Sequence, residues 1–155
     1  MNQTKQGFTL IELVLVMGIV ASLSVGGLYG WRHWQQQQRL QQNALLLRAW
    51  LQQIRDEANA TNRDFHIRLT QQNKQWALTA CANSGAACSP QSRHIWRPTV
   101  PDIWLEGDAS NIHFYGLRNT AWAGHLSLGN AGGRWRIIIS SWGRIRLCLE
   151  GKRAC

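Results

Sequence analysis

The sequence predicts an α+β protein in which one long N-terminal helix is followed by antiparallel strands that pack on its second half. Three patterns carry this expectation. Residues 8 to 31 are almost wholly apolar, residues 40 to 58 repeat apolar side chains at helical period, and from residue 65 the period falls to two.

The 155 residues suffice for one modest domain and exclude a multidomain machine. With 45% hydrophobic and only 16% charged residues, the chain is too apolar to stay disordered. Its 17 Lys and Arg against 8 Asp and Glu leave a formal charge of +9. That balance points to an acidic partner or an assembly instead of a free metabolite enzyme.

The helix begins in a segment with its own chemistry. From Phe8 to Trp31 the only ionisable side chains are Glu12 and the phenol of Tyr29. As a helix these residues span roughly 36 Å, enough to cross a bilayer core of about 30 Å. A short polar leader, Met1 to Gly7, precedes them, whereas a secretory signal is cut after its apolar stretch. Glu12 sits one turn into the apolar run, where burying a carboxylate costs a few kcal/mol, so a bare anchor has no use for it. Tyr29, Trp31 and Trp34 fit an interfacial aromatic belt. Gly26 and Gly30 make a GxxxG spacing that suits close helix approach or, equally, local helix softening.

Leu40, Ala44, Leu47, Leu51, Ile54 and Ala58 then recur at spacings of 4, 3, 4, 3 and 4, which makes one apolar stripe. The Gln run at 35–38 holds no breaker, so Phe8 to about Asn59 reads as a single helix of roughly 78 Å. Too few heptads are present for a free coiled coil, and the stripe is expected to pack on a sheet of the same chain. Asn59-Ala60-Thr61 matches a glycosylation sequon but reads as the helix end.

Phe65, Ile67 and Leu69 alternate with polar residues, residues 71–75 turn the chain, and Trp76 and Leu78 open a second strand. Gly85, Pro90, Pro98 and Pro101 mark a long loop over 81–102 with a short strand at 94–97. Ile112 and Phe114, then Leu126 and Leu128, suggest further strands. Asn130-Ala131-Gly132-Gly133 is a strong turn, and 134–140 with 144–149 read as a final hairpin turning at Trp142-Gly143.

The string Gly7-Phe8-Thr9-Leu10-Ile11-Glu12, followed by an apolar helix, resembles the processing site of type IV prepilins and pseudopilins. The resemblance implies a type IV pilin-like fold and cleavage between Gly7 and Phe8 by a membrane-embedded prepilin peptidase. It also implies N-methylation of Phe8, and a Glu12 that faces the N-terminal amine of a neighbouring subunit. It sets the orientation as well, leader inside and head in the periplasm, since Lys5 on one side and Arg32 and Arg39 on the other do not favour that orientation by charge. Phe114-Tyr115-Gly116, Ala123-Gly124-His125-Leu126 and Gly143-Arg144-Ile145-Arg146-Leu147 look like the pseudopilin H and FimT group. With Leu28-Tyr29-Gly30-Trp31 and residues 117–122, the pattern is similar to the prepilin peptidase-dependent proteins of enterobacteria. Major pilins usually carry a proline where this chain has Tyr29, which favours a minor subunit.

The expected organisation is a leader at 1–7, a transmembrane and assembly helix at 8–31, a helix continuation at 32–59 packed on the head, and a β-rich periplasmic head at 60–155. The expected function is that of a minor type IV pilin, held in the inner membrane and then at a pilus tip or the cell surface, that primes or caps assembly. Its partners would be the prepilin peptidase, other minor pilins and the major pilin. A type II secretion pseudopilin is the sister alternative.

Four cysteines in an exported head imply disulfides, with three connectivities open. Cys81 with Cys88 and Cys148 with Cys155 are preferred, since each pair closes a short loop with six residues between. Neither pair has CxxC spacing and the five His are scattered, so neither a metal nor a cofactor is expected. No catalytic set is recognisable either: Asp56 and Glu57 are adjacent on a helix and point apart.

The basic charge concentrates at the end of the chain. Arg134, Arg136, Arg144, Arg146, Lys152 and Arg153 stand against Glu150 alone in the last 22 residues. Strand alternation turns Trp135, Ile137, Ile139, Ile145, Leu147 and Leu149 inward and the four hairpin arginines outward. Arg144 and Arg146 then lie about 7 Å apart on one face, suited to gripping phosphates. In FimT-like minor pilins a GRxR segment is associated with DNA binding, and Gly143-Arg144-Ile145-Arg146 matches it. The bland reading is a soluble face or one that pairs with neighbouring subunits. DNA bound here would be held through its phosphates, with little sequence preference and a steep salt dependence.

Overall fold

The structure is a computed structural model that describes residues 9–72, 75–82, 92–107 and 109–151. The chain divides into two compact units, Met1–Gln35 and Gln36–Cys155. Helix α1, Leu10–Thr61, contributes to both.

In the first unit the helix starts where Thr9 accepts the backbone N–H groups of Glu12 and Leu13. Its large apolar side chains described between Leu10 and Trp34 are exposed. Ser22 and Ser24 donate their hydroxyls back to the Gly18 and Val20 carbonyls, which removes those polar groups from an otherwise apolar surface. The stretch is long and apolar enough to cross a membrane by length and composition.

In the second unit the predicted stripe is the inner face. Leu40, Ala44, Leu47, Leu51, Ile54 and Ala58 are all buried. The helix ends at Thr61 through Asn62, which takes the left-handed conformation at φ 52°, while the Arg63 N–H returns to the Ala58 carbonyl at 3.2 Å. Asparagine tolerates that conformation, and the long return bond satisfies a terminal carbonyl.

Strands β1 (Phe65–Gln72) and β2 (Gln75–Ala82) form the expected hairpin, longer than alternation alone indicated. A 3-10 turn at Ser92–His94 leads into β3 (Ile95–Trp96), inside the segment expected to hold a short strand. Then follow β4 (Trp104–Glu106), β5 (His113–Tyr115), β6 (Thr120–Ala121), β7 (Gly124–Asn130), β8 (Gly133–Ile139) and β9 (Ile145–Leu149). They make two antiparallel sheets instead of one: β3-β2-β1-β5-β6 and β4-β7-β8-β9. The inner faces of both sheets and the helix stripe share one core, with Phe114, Ile67, Leu78, Leu126, Leu128 and Ile137 at its centre.

Asn43 ties the loop after β3 to the helix. Its amide is buried, donates to the Arg39 carbonyl at 2.9 Å and accepts the Thr99 N–H at 2.8 Å. Higher up, Trp50 donates to the Arg93 carbonyl, and Glu57 holds His94 at 3.1 Å and Arg93 at 3.5 Å.

Candidate functional site

Two regions were expected to carry function: the N-terminal string and the last hairpin. Gly7 and Phe8 lie outside the described residues; Glu12 stands exposed in the first turn of α1. It is flanked in sequence by Leu10, Ile11, Leu13 and Leu15, all exposed. Trp31 and Trp34 sit together with ring centroids 5.2 Å apart, further along the same segment.

The last hairpin is built by β8 and β9 in the register Trp135 to Leu149, Ile137 to Leu147 and Ile139 to Ile145. Ile137, Ile139 and Ile145 are buried, Trp135 and Leu147 pack against the same core, Arg134, Arg136 and Arg146 alternate to the opposite face, and Arg144 stands exposed just before β9. These arginines are not equivalent. Arg134 meets Glu150 at 3.1 Å and Glu106 at 3.6 Å, and its guanidinium lies 4.7 Å from the Trp104 ring centroid. Arg136 meets the other Glu150 oxygen at 2.7 Å. Their charge is used within the sheet. Arg144 and Arg146 are exposed and form no ion pair among the described residues.

The turn before them explains the glycine of GRxR. Gly143 has φ +70°, a region unfavourable for a side chain, and a Cβ there would lie 3.2 Å from both the Asn119 carbonyl oxygen and Arg55 Cδ. Arg55 donates from its guanidinium to the Gly143 carbonyl at 3.0 Å. The Arg144 N–H is bound by Ser140 Oγ at 3.2 Å. The motif therefore starts from a fixed corner of the head.

Sequence reasoning missed a set of neighbours to this corner. The β5–β6 turn, residues 116–119, carries exposed Leu117 and Arg118, and exposed Trp122 follows β6. An aliphatic side chain inside a Gly-to-Asn turn was the available signal. On the outer face of the first sheet, His66 stacks on His113 with centroids 5.7 Å apart. Burial, helped by the nearby charges of His113 and Arg68, lowers the pKa of His66 from its usual 6.5.

Cys81 is disulfide-bonded, and Cys88 and Cys155 lie outside the described residues, as do both preferred pairings in part. Cys148 is buried on the outer side of β9, opposite Arg136. Among the described residues no group of three or more His, Cys, Asp or Glu is placed to hold a metal ion.

Residues 2–28 match the family model described as the prokaryotic N-terminal methylation motif. Among solved structures, the chain is similar to the type IV minor pilin FimU of Pseudomonas aeruginosa, with 22% identity, a TM-score of 0.58, and coverage of 77% of this chain and 95% of that one. It is also similar to the minor pseudopilin EpsH from the type 2 secretion system of Vibrio cholerae. There the identity is 14%, the TM-score 0.54, and the coverage 74% of this chain and 99% of that one. The fold is type IV pilin-like. A second structure of EpsH, at 12% identity, gives the same TM-score of 0.54. No curated protein sequence matches the chain. In this pilin-like fold the methylation motif covers the exposed apolar half of α1, and the two-sheet head follows it.

Proposed function

We propose that the chain is a minor subunit of a type IV pilus that helps to prime or cap filament assembly. The observation that carries this reading is an N-terminal methylation motif on an unburied apolar helix, joined to a head of pilin-like fold. Residues 1–7 are the leader, cut from Phe8 by a prepilin peptidase that also methylates the new N-terminus. Residues 8–31 reside in the inner membrane until assembly, residues 32–59 carry the head, and residues 60–155 complete it in the periplasm. In the filament Glu12 pairs with the N-terminal amine of a neighbour, because two opposite charges in apolar surroundings cost least when joined. Other minor pilins and the major pilin are the partners, and the role is structural, not enzymatic. Cys81–Cys88 and Cys148–Cys155 are the pairings we assign to the exported head. A pseudopilus of a type II secretion system is served by the same chemistry, and the fold is shared with both kinds of subunit.

Mass spectrometry of the N-terminus, with and without prepilin peptidase, tests the processing. Glu12→Ala should leave cleavage intact and reduce incorporation into sheared filaments; normal incorporation removes Glu12 from the mechanism.

A second reading, DNA capture, rests on Arg144 and Arg146, which are exposed and form no ion pair among the described residues. Arg134 and Arg136 play a lesser part in it, since Glu150 already holds both. The head should shift a DNA duplex at low salt, lose the shift steeply as salt rises, and lose it in Arg144→Ala with Arg146→Ala. No shift at low salt leaves the structural role alone.

A further inference from the structure

The β5–β6 and β8–β9 turns meet at the end of α1 and are held there. The Ala121 N–H donates to the Ser141 carbonyl at 2.9 Å, joining the two sheets at this point. Asn59 Nδ2 donates to Asn119 Oδ1 at 2.8 Å, and Arg55 donates to the Gly143 carbonyl at 3.0 Å. Gly116 lies so close to the helix terminus that a Cβ would stand 2.6 Å from the Asn62 carbonyl carbon and 2.8 Å from the Ala58 oxygen. The turns are thus a prepared frame, which lowers the ordering cost of binding.

On this frame the side chains are the reverse of what solubility asks. Leu117 is 83% exposed, Trp122 59% and Trp142 82%. Arg118, Arg144 and Arg146 are exposed beside them and form no ion pair among the described residues. Aromatic and arginine side chains of this kind concentrate at the centres of protein interfaces. A cavity of about 300 Å³, lined by Asp64, Tyr115, Leu117, Arg118 and Thr120, adjoins them and offers room for a partner side chain.

We propose that this corner of the head docks a different subunit of the same assembly, one that presents an apolar recess rimmed by carboxylates. The proposal rests on the assembly reading and competes with the DNA reading for Arg144 and Arg146. Charge complementarity identifies the occupant. A second copy of this chain would bring the same three guanidinium groups and few carboxylates to meet them. Asp56, Glu57, Glu106 and Glu150 are in ion pairs and Asp64 accepts the Gly116 N–H at 2.9 Å. Among the described acids of the head that leaves Asp102 for three arginines. Nucleic acid fits less well, because Leu117 has no planar face to stack and Asp64 places a carboxylate where a phosphate would approach.

The test is photo-crosslinking of the full chain in cells that assemble the filament, with Trp142→p-benzoylphenylalanine and, separately, Val16→p-benzoylphenylalanine. The expected result is a position-142 adduct to a different chain that carries its own N-terminal methylation motif, identified by mass spectrometry. Arg118→Glu with Arg144→Glu and Arg146→Glu should lower its yield about tenfold. Leu117→Ser with Trp122→Ser should lower it as well, with an unchanged thermal midpoint because both side chains are exposed. A position-142 adduct to a second copy, to nucleic acid or to a chain without the motif overturns the proposal. So does the absence of any adduct while position 16 still captures motif-bearing chains, and that outcome leaves the assembly reading intact. Silence at both positions overturns the two together.

Discussion

The two halves of helix α1 use similar apolar side chains in opposite ways. Between Leu10 and Trp34 every large apolar residue described is exposed, on all sides of the helix. Between Leu40 and Ala58 the apolar residues concentrate on one stripe that is buried by two sheets, with Leu45 and Leu46 left exposed beside it. The first half has no burial of its own within the chain and needs an outside environment, lipid or neighbouring helices, to hide it. The second half is finished by the chain itself. The lesson is that hydrophobicity alone does not locate a core; its angular distribution does.

The comparison breaks if the two halves respond alike to the same change. Leu47→Ala or Leu51→Ala removes a fully buried side chain from the core and should cost about 2–5 kcal/mol of head stability in urea titration. Leu15→Ala should move the same transition by less than about 0.5 kcal/mol. Equal shifts would mean that the exposed half is part of the head's core after all.

Polar groups sharpen the contrast at a smaller scale. Asn43→Ala takes the acceptor from the Thr99 N–H and empties a buried side-chain site, while the Arg39 carbonyl keeps its helical bond, so a loss of about 1–3 kcal/mol is expected. Ser22→Ala, which removes only a bond to a carbonyl of its own helix, should leave head stability unchanged.

Acid should act on the head through His66. Burial lowers the His66 pKa below its unfolded value near 6.5, so the native state resists the proton that the unfolded chain accepts. The stability associated with neutral His66 is present above pH 6.5 and is lost as pH falls through 6.5 toward the lowered folded value. Thermal midpoints measured over that interval should decline, and His66→Gln should flatten the decline.

The smallest effect belongs to the hairpin arginines. Glu150→Gln weakens contacts to Arg134 and Arg136 among side chains that are 35–42% exposed, and should cost no more than about 1 kcal/mol. A larger loss would make the sheet's outer face a stability element comparable with its core.

Much of this architecture was legible because it follows short periods. The spacing from Leu40 to Ala58 picked out the buried stripe residue by residue, and alternation at Phe65, Ile67 and Leu69 placed β1. Strands β4 and β6 were not legible, since neither lies in a stretch that alternation or flanking turn residues marked as extended. The division into two sheets was hidden for a different reason: it depends on β1 pairing with β5 across a long separation in sequence. The outward position of Arg134, Arg136 and Arg146 followed from strand alternation, and Arg144 is exposed just before β9. Their separation into a paired and an unpaired set did not, because Glu106 and Trp104 come from β4 and Glu150 from the end of β9. For the same reason Trp122 and Leu117 were invisible as neighbours of Trp142 until the Ala121–Ser141 bond brought their turns together.

The fit of Gly116 against the end of α1 has a consequence for how the gene can vary. Every single-base change of a glycine codon that encodes a different amino acid adds at least a Cβ, and at this position the added atom meets Asn62, Arg63 and the Ala58 carbonyl, which have no flexible tip to retract. A saturation scan of the turn scored for folding of the head alone should show free variation at solvent-facing Arg118 and an intolerant column at Gly116. Lineages that alter the exposed corner are then confined to changing what the turn displays, because they cannot change where it sits.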